Sequence, residues 1–253
     1  MAKPKSKTSL VREVASFQNA ATTLLANIRF SNMDNPIKTV VITSAVPGEG
    51  KSTVSCNLAQ AMALGAKRTL VVDCDSFNRT VTSTFDVKPS AGLIAVLSKR
   101  VPLEQAIAPT AHAGLFVLDI EPNLPNPADI FASKRFSAFI EEVSEQFDYV
   151  VFDTPPVCAF VDAAVIASHV DACVLVVGEG HSRRKEVAFA AEQLRKADAN
   201  IVGVCMNNVT SGSSGYGYGY DYGYGYGYGN ASRNDGEHGL HSEEASGGTR
   251  FKH

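Results

Sequence analysis

The segment SAVPGEGKST, residues 44–53, concentrates residue types suited to holding a phosphate. From Ala45 it spells A-x-x-x-x-G-K-S, closed by Gly50, Lys51 and Ser52, with alanine where the first glycine usually stands. Gly48 and Gly50 let backbone N–H groups curl around phosphate oxygens, and a helix opening after the loop adds the positive end of its dipole. The candidate nucleotide-binding residues are therefore Pro47, Gly48, Glu49, Gly50, Lys51, Ser52 and Thr53. Lys51 would reach the β- and γ-phosphates, and Ser52 would offer a hydroxyl to Mg²⁺. Two more stretches end in carboxylates: TLVVDCD in Asp73 and Asp75, and YVVFDTPP around Asp153. In an open parallel sheet, ligands bind beyond the carboxyl ends of the strands, so all three are expected to converge on the phosphate loop. There Asp153 and at least one of the other two would serve Mg²⁺ or a nucleophile.

Such a site needs a rigid frame, and the sequence supplies one. KTVVITS (38–44), RTLVVDC (68–74), GLFVLDI (114–120), FDYVVFDT (147–154), DACVLVVG (171–178) and NIVGVCMN (200–207) are continuous apolar runs of strand length. Each is suited to burial on both faces. Helical patterns such as STVSCNLAQAMALGA and RRKEVAFAAEQLRKA lie between many of them. Strand–helix alternation predicts an α/β domain of the P-loop NTPase type, its mainly parallel sheet flanked by helices. This domain is expected over residues 37–209. Residues 1–36 carry lysines and then an amphipathic helical pattern. Residues 210–253 have no apolar periodicity and read as a disordered tail.

The tail contains SSGYGYGYDYGYGYGYG, residues 213–229, which holds seven of the chain's eight tyrosines. Glycine offers no side chain to cover a ring and raises the entropy cost of ordering. The segment is a poor core, and its tyrosines are available to be reached by something. The nearby H-x-x-H of His238 and His241 has no evident companions and reads as coincidence.

Bulk properties narrow the classes further. An apolar content of 45% is enough for a core, and a net charge of -3 gives no reason to expect nucleic acid as a partner. The five cysteines form no C-x-x-C pair and read as reduced, partly buried thiols. No apolar run approaches the roughly 20 residues of a spanning helix. Met1–Thr8 is basic but leads into no apolar signal segment. A cytoplasmic protein is expected, reaching a membrane only through a partner.

Taken together, the motifs resemble the bacterial tyrosine kinases, the P-loop enzymes that govern capsule and exopolysaccharide assembly. SAVPGEGKST is similar to the family's Walker A loop, LVVDCDSFNR to its Walker A′ motif and VVFDTPP to its Walker B strand. NLPNPADIFAS (123–133), GVCMNNV (203–209) and the terminal tyrosine cluster add to the likeness, which covers nearly all of residues 9–229. The resemblance implies ATP and Mg²⁺ as cofactors. It implies that Lys51 and Ser52 hold phosphates and metal, that Asp75 and Asp153 hold the metal and its waters, and that Asp73 accepts a tyrosine proton. Asn207 would recognise the adenine. Tyr216, Tyr218, Tyr220, Tyr222, Tyr224, Tyr226 and Tyr228 would be autophosphorylation sites, each phosphate adding about -1.5 to -2 charge. The implied partners are a membrane-embedded polysaccharide co-polymerase whose cytosolic tail stimulates the kinase, further copies of the chain, and a cognate tyrosine phosphatase. The chain would then sit at the inner face of the plasma membrane.

Three places depart from the family pattern. Phe77 stands where Walker A′ carries arginine, with Arg79 two residues on. Asn19, Thr22 and Leu25 replace the E-x-x-R-x-x-R of the leading helix, the charged triplet that builds the family's subunit ring, and Gly178 stands where arginine is frequent. Two other readings stay open: a MinD- or ParA-like ATPase switch, and a catalytically weak nucleotide-bound scaffold of polysaccharide assembly. The first fits poorly with Ala45 and Val46, where the K-G-G-x-G-K form places its early lysine.

Overall fold

The structure is a computed structural model that describes residues 7–209, with side chains described from Ala15 onward. The expected phosphorylation sites Tyr216–Tyr228, and His238 and His241, lie outside the described residues.

The described chain forms seven strands: β1 (Thr39–Ser44), β2 (Thr69–Asp73), β3 (Ala108–Pro109), β4 (Leu115–Leu118), β5 (Tyr149–Asp153), β6 (Ala172–Gly178) and β7 (Ile201–Asn207). They lie in one sheet in the order β3-β4-β2-β5-β1-β6-β7. Every neighbouring pair is parallel except β3 with β4. The helices that position the site are α1 (Lys7–Ser31), α2 (Lys51–Ala63), α7 (Lys134–Gln146), α8 (Asp162–Ala167) and α9 (Arg184–Lys196); four short helices, α3 (Val81–Phe85), α4 (Leu93–Leu97), α5 (Leu103–Ala106) and α6 (Pro127–Phe131), complete the set.

Period-two alternation sorts the central strands between two cores. Val41, Leu70, Val72, Val150 and Phe152 point to one face, where they meet Phe136 and Val143 of α7 and Leu194 of α9. Val40, Ile42, Val71 and Val151 point to the other, against Leu58 and Met62 of α2. Both faces are covered, which is why these strands read as unbroken apolar runs. Each fully buried side chain of this kind contributes roughly 1.5–3 kcal/mol, so the ends of β1, β2 and β5 are held rigidly.

Six of the seven strands fall on the apolar runs. β3 escaped because two residues cannot show a period. β7 is a correction: as the sheet edge it is not buried on both faces, and Val204 and Met206 are exposed among the described residues. The leading helix α1 is built into the domain, since Leu25 and Ile28 enter the same core as α2. Leu25 therefore points inward, while Asn19 and Thr22 face outward. The five cysteines are free, with Cys56, Cys74 and Cys173 buried. Among the described residues, no helix is long and apolar enough to cross a membrane.

Candidate active site

The loop from Ala45 to Gly50 leaves β1 and feeds α2 at Lys51. Gly48 and Gly50 hold φ of 83° and 86°, a left-handed conformation that side-chain-bearing residues rarely adopt. A Cβ at Gly50 would also collide with the amide nitrogen of Asn207, so glycine is required there on two counts. The first N–H groups of a helix lack intrahelical acceptors, so the start of α2 presents donors to an anion.

Glu49 shapes the loop from inside. Its buried carboxylate accepts N–H bonds from Val46 at 2.9 Å and Gly178 at 3.1 Å. The Asn207 amide donates to the Glu49 carbonyl at 2.9 Å, and His181 Nε2 lies 2.8 Å from the Pro47 carbonyl. The Glu49 side chain is thus a brace of the loop, and only its backbone remains to meet phosphate. Asn207, expected at the adenine, also pins the loop. His181, which the sequence analysis did not single out, belongs here, and its only signal was its place three residues after the β6 run.

The three expected carboxylates do converge. Asp73 and Asp153 are register partners on adjacent β2 and β5, and Lys51 Nζ lies 3.1 Å from Asp75 Oδ2. Asp153 Oδ1 accepts from Ser55 Oγ at 2.9 Å, while its buried Oδ2 has no partner. Burial raises the Asp153 pKa to about 6, against the opposing pull of Lys51, Ser52 and Ser55. An orphaned, buried carboxylate oxygen beside Ser52 and Asp75 fits a hard divalent cation, which takes oxygen ligands of this kind. Asp75 Oδ1 accepts the N–H groups of Phe77 at 3.2 Å and Asn78 at 3.0 Å, which orients its other oxygen toward Lys51.

Asp73 is fully buried (0% exposed), accepting N–H bonds from Asp75 at 3.0 Å and Val81 at 3.3 Å. Burial first, then the charge of Asp153, hold its pKa well above the ordinary range. Asp162, which the sequence analysis did not single out, opens α8 with 3% exposure and an unpartnered Oδ2. Burial and then Asp75 raise its pKa to about 6. Arg79 does not replace the missing arginine: it is committed to Asp119 at 2.8 Å and the Ile120 carbonyl at 3.1 Å. Beside Thr53 and Asn207, a groove of about 420 Å³ runs between α1, α2 and the end of β7, floored by Ala21, Leu24 and Val54.

Residues 37–181 match a family model described as an AAA domain. The chain is 38% identical to the tyrosine-protein kinase YwqD of Bacillus subtilis (strain 168) over 185 residues, covering 73% of this chain and 78% of that one. The solved kinase domain of the Escherichia coli tyrosine kinase ETK superposes with a TM-score of 0.73 at 30% identity, covering 80% of each chain. The cell-division ATPase MinD of Pyrococcus furiosus superposes with a TM-score of 0.57 at 24% identity, covering 66% of this chain and 70% of that one, a likeness of fold alone.

Proposed function

The chain belongs to the bacterial tyrosine-protein kinases, and from that premise we propose that it is an ATP-dependent tyrosine autokinase acting on its own C-terminal cluster. The observation that carries this is the convergence of Lys51, Asp75 and Asp153 at the mouth of the phosphate loop, in a chain that also encodes seven closely spaced tyrosines.

In this reading the loop from Pro47 to Thr53 cradles the phosphates, and Lys51 leaves Asp75 to meet the β- and γ-phosphates. The base and ribose occupy the groove beside Thr53 and Asn207. Ser52, Asp75 and Asp153 hold Mg²⁺, which neutralises charge on the transferred phosphoryl group when bound. Phosphoryl transfer depends chiefly on positioning and charge, so the chain need only hold a tyrosine hydroxyl in line. Asp73 accepts its proton; substrate entry has to release this carboxylate from the N–H groups of Asp75 and Val81. The raised proton affinity of Asp73 suits that role, because a free tyrosine hydroxyl has a pKa near ~10.

The tail is its own tethered substrate. Tyr228 lies 19 residues past Val209, and Gly-rich chains of that length have a root-mean-square span of roughly 20–25 Å. We assign the chain to control of capsular or exopolysaccharide synthesis at the inner membrane face, through a membrane-embedded activator and a phosphatase that resets the tail. Intact-mass measurement after incubation with Mg²⁺–ATP tests the reading, alone and with the activator's cytosolic segment. Successive 80-Da additions, lost in Lys51→Met and on deleting residues 214–229, are expected. Tight ATP binding with no phosphate added would favour a nucleotide-driven switch or scaffold instead.

A further inference from the structure

Phe77 and Phe160 stack beside the site, with ring centroids 4.6 Å apart and planes 16° from parallel. Neither is core: Phe77 leaves 51% of its surface exposed, and Phe160 is half-buried. Phe160, Val161 and Phe189 line an adjoining cleft of about 150 Å³, and Val161 and Phe189 are themselves exposed. A contiguous apolar surface of this kind usually marks a binding site.

Its position says what it would bind. The Phe77 N–H donates to Asp75 Oδ1, and the other oxygen of Asp75 holds Lys51. Phe160 sits seven residues past Asp153 and two before Asp162. The two rings therefore form a shelf at the lip of the phosphate-transfer site, on the loops that leave β2 and β5.

We propose that the Phe77–Phe160 shelf receives the ring of the incoming substrate tyrosine and selects tyrosines flanked by glycine, the pattern written at 216–228. This rests on the kinase reading and adds its substrate preference. Aromatic rings pair favourably in stacked or edge-on arrangements. Glycine on either side adds no side chain to collide with the shelf or with Val161, and lets the backbone approach closely. The repeat from Tyr216 to Tyr228 contains one charged residue, Asp221. A cation beside the site would find little to pair with there, whereas an apolar ring complements every second residue. Phe77 in the place of an arginine thus matches a nearly neutral aromatic substrate.

The test uses the full chain with its seven tail tyrosines, Tyr216 to Tyr228, changed to serine so that they do not compete. A fluorescein-labelled peptide of sequence SGYGYGYDYGYGYG is titrated by anisotropy with a non-hydrolysable ATP analogue, and phosphate transfer to the same peptide is followed with ATP. Phe77→Ala and Phe160→Ala should each raise the peptide Kd and KM roughly 3- to 10-fold, the change falling on KM, with nucleotide affinity unaltered. Phe77→Trp should retain binding. Phe77→Leu should not, although it keeps apolar area. A peptide with phenylalanine at the tyrosine positions should bind as well, and one with leucine should not. Unchanged peptide Kd and KM in both alanine variants would overturn the shelf while leaving the kinase reading standing. Phe77-dependent binding without any phosphate transfer would support the shelf and overturn the kinase reading.

Discussion

Replacing Asp153 by asparagine should uncouple stability from function, with a signature in pH. Asp153 is fully buried, its Oδ1 is bonded to Ser55, and its Oδ2 has no partner. Burial lifts its pKa from 3.8 to about 6. A shift of that size corresponds to ~3 kcal/mol between protonation states. The sign follows from linkage. A carboxyl whose folded pKa is raised contributes fully below its unfolded pKa, and the contribution is lost as pH rises through the folded value. Through Asp153 alone, the unliganded protein should therefore lose ~3 kcal/mol as pH rises from below about 4 to above about 6, about half of it above pH 5, with Asp73 and Asp162 adding losses of the same sign. Asp153→Asn removes this dependence and keeps an acceptor for Ser55. Its extra N–H₂ adds a pH-independent cost of roughly 1–3 kcal/mol if no acceptor is found. The stability difference between variant and parent, from urea unfolding without Mg²⁺, should thus shift toward the variant as pH rises from 4 to 7. In parallel, stabilisation by Mg²⁺–ATP, worth ~2.7 kcal/mol at a hundred-fold excess over Kd, should collapse in the variant. A difference flat across that pH range would refute the view that Asp153 is held against its own ionisation.

Three other substitutions follow from the same geometry. Lys51→Met should abolish tail phosphorylation and also lower unliganded stability by roughly 1–3 kcal/mol, since Asp75 loses its ion pair at 3.1 Å; chemical denaturation reads the second effect separately. Gly50→Ala should cost roughly 1–2 kcal/mol in backbone strain and push Asn207 off the loop, seen as a ten-fold or greater loss in fluorescent-nucleotide affinity. Glu49→Ala should strand the N–H groups of Val46 and Gly178, costing roughly 1–3 kcal/mol for each in thermal denaturation.

The central strands were legible because burial on both faces leaves no alternation to misread, as in TVVITS and YVVFD, where the described positions are almost all buried. The phosphate loop was legible because its glycines answer a backbone requirement that local sequence spells out. What escaped depends on contacts across the chain. Glu49 looks like a loop-tip residue until Gly178, 129 positions away, is seen to bond it. His181 and Asp162 gain meaning only where the ends of β6 and β5 reach the phosphate loop and Asp75. Asp73, expected from its place at a strand end to face the phosphate loop, is enclosed because the following turn folds back and donates two N–H groups to it.

The ion pair between Lys51 and Asp75 has a thermodynamic consequence. Asp75 is an ion exchanger already loaded with the chain's own cation. Under the proposed roles, a nucleotide that arrived without metal would draw Lys51 away and leave Asp75 bare among phosphate charges, whereas one that arrived with a divalent ion would swap one positive partner for another. Metal and nucleotide would then strengthen each other's binding, and by the same factor in both directions.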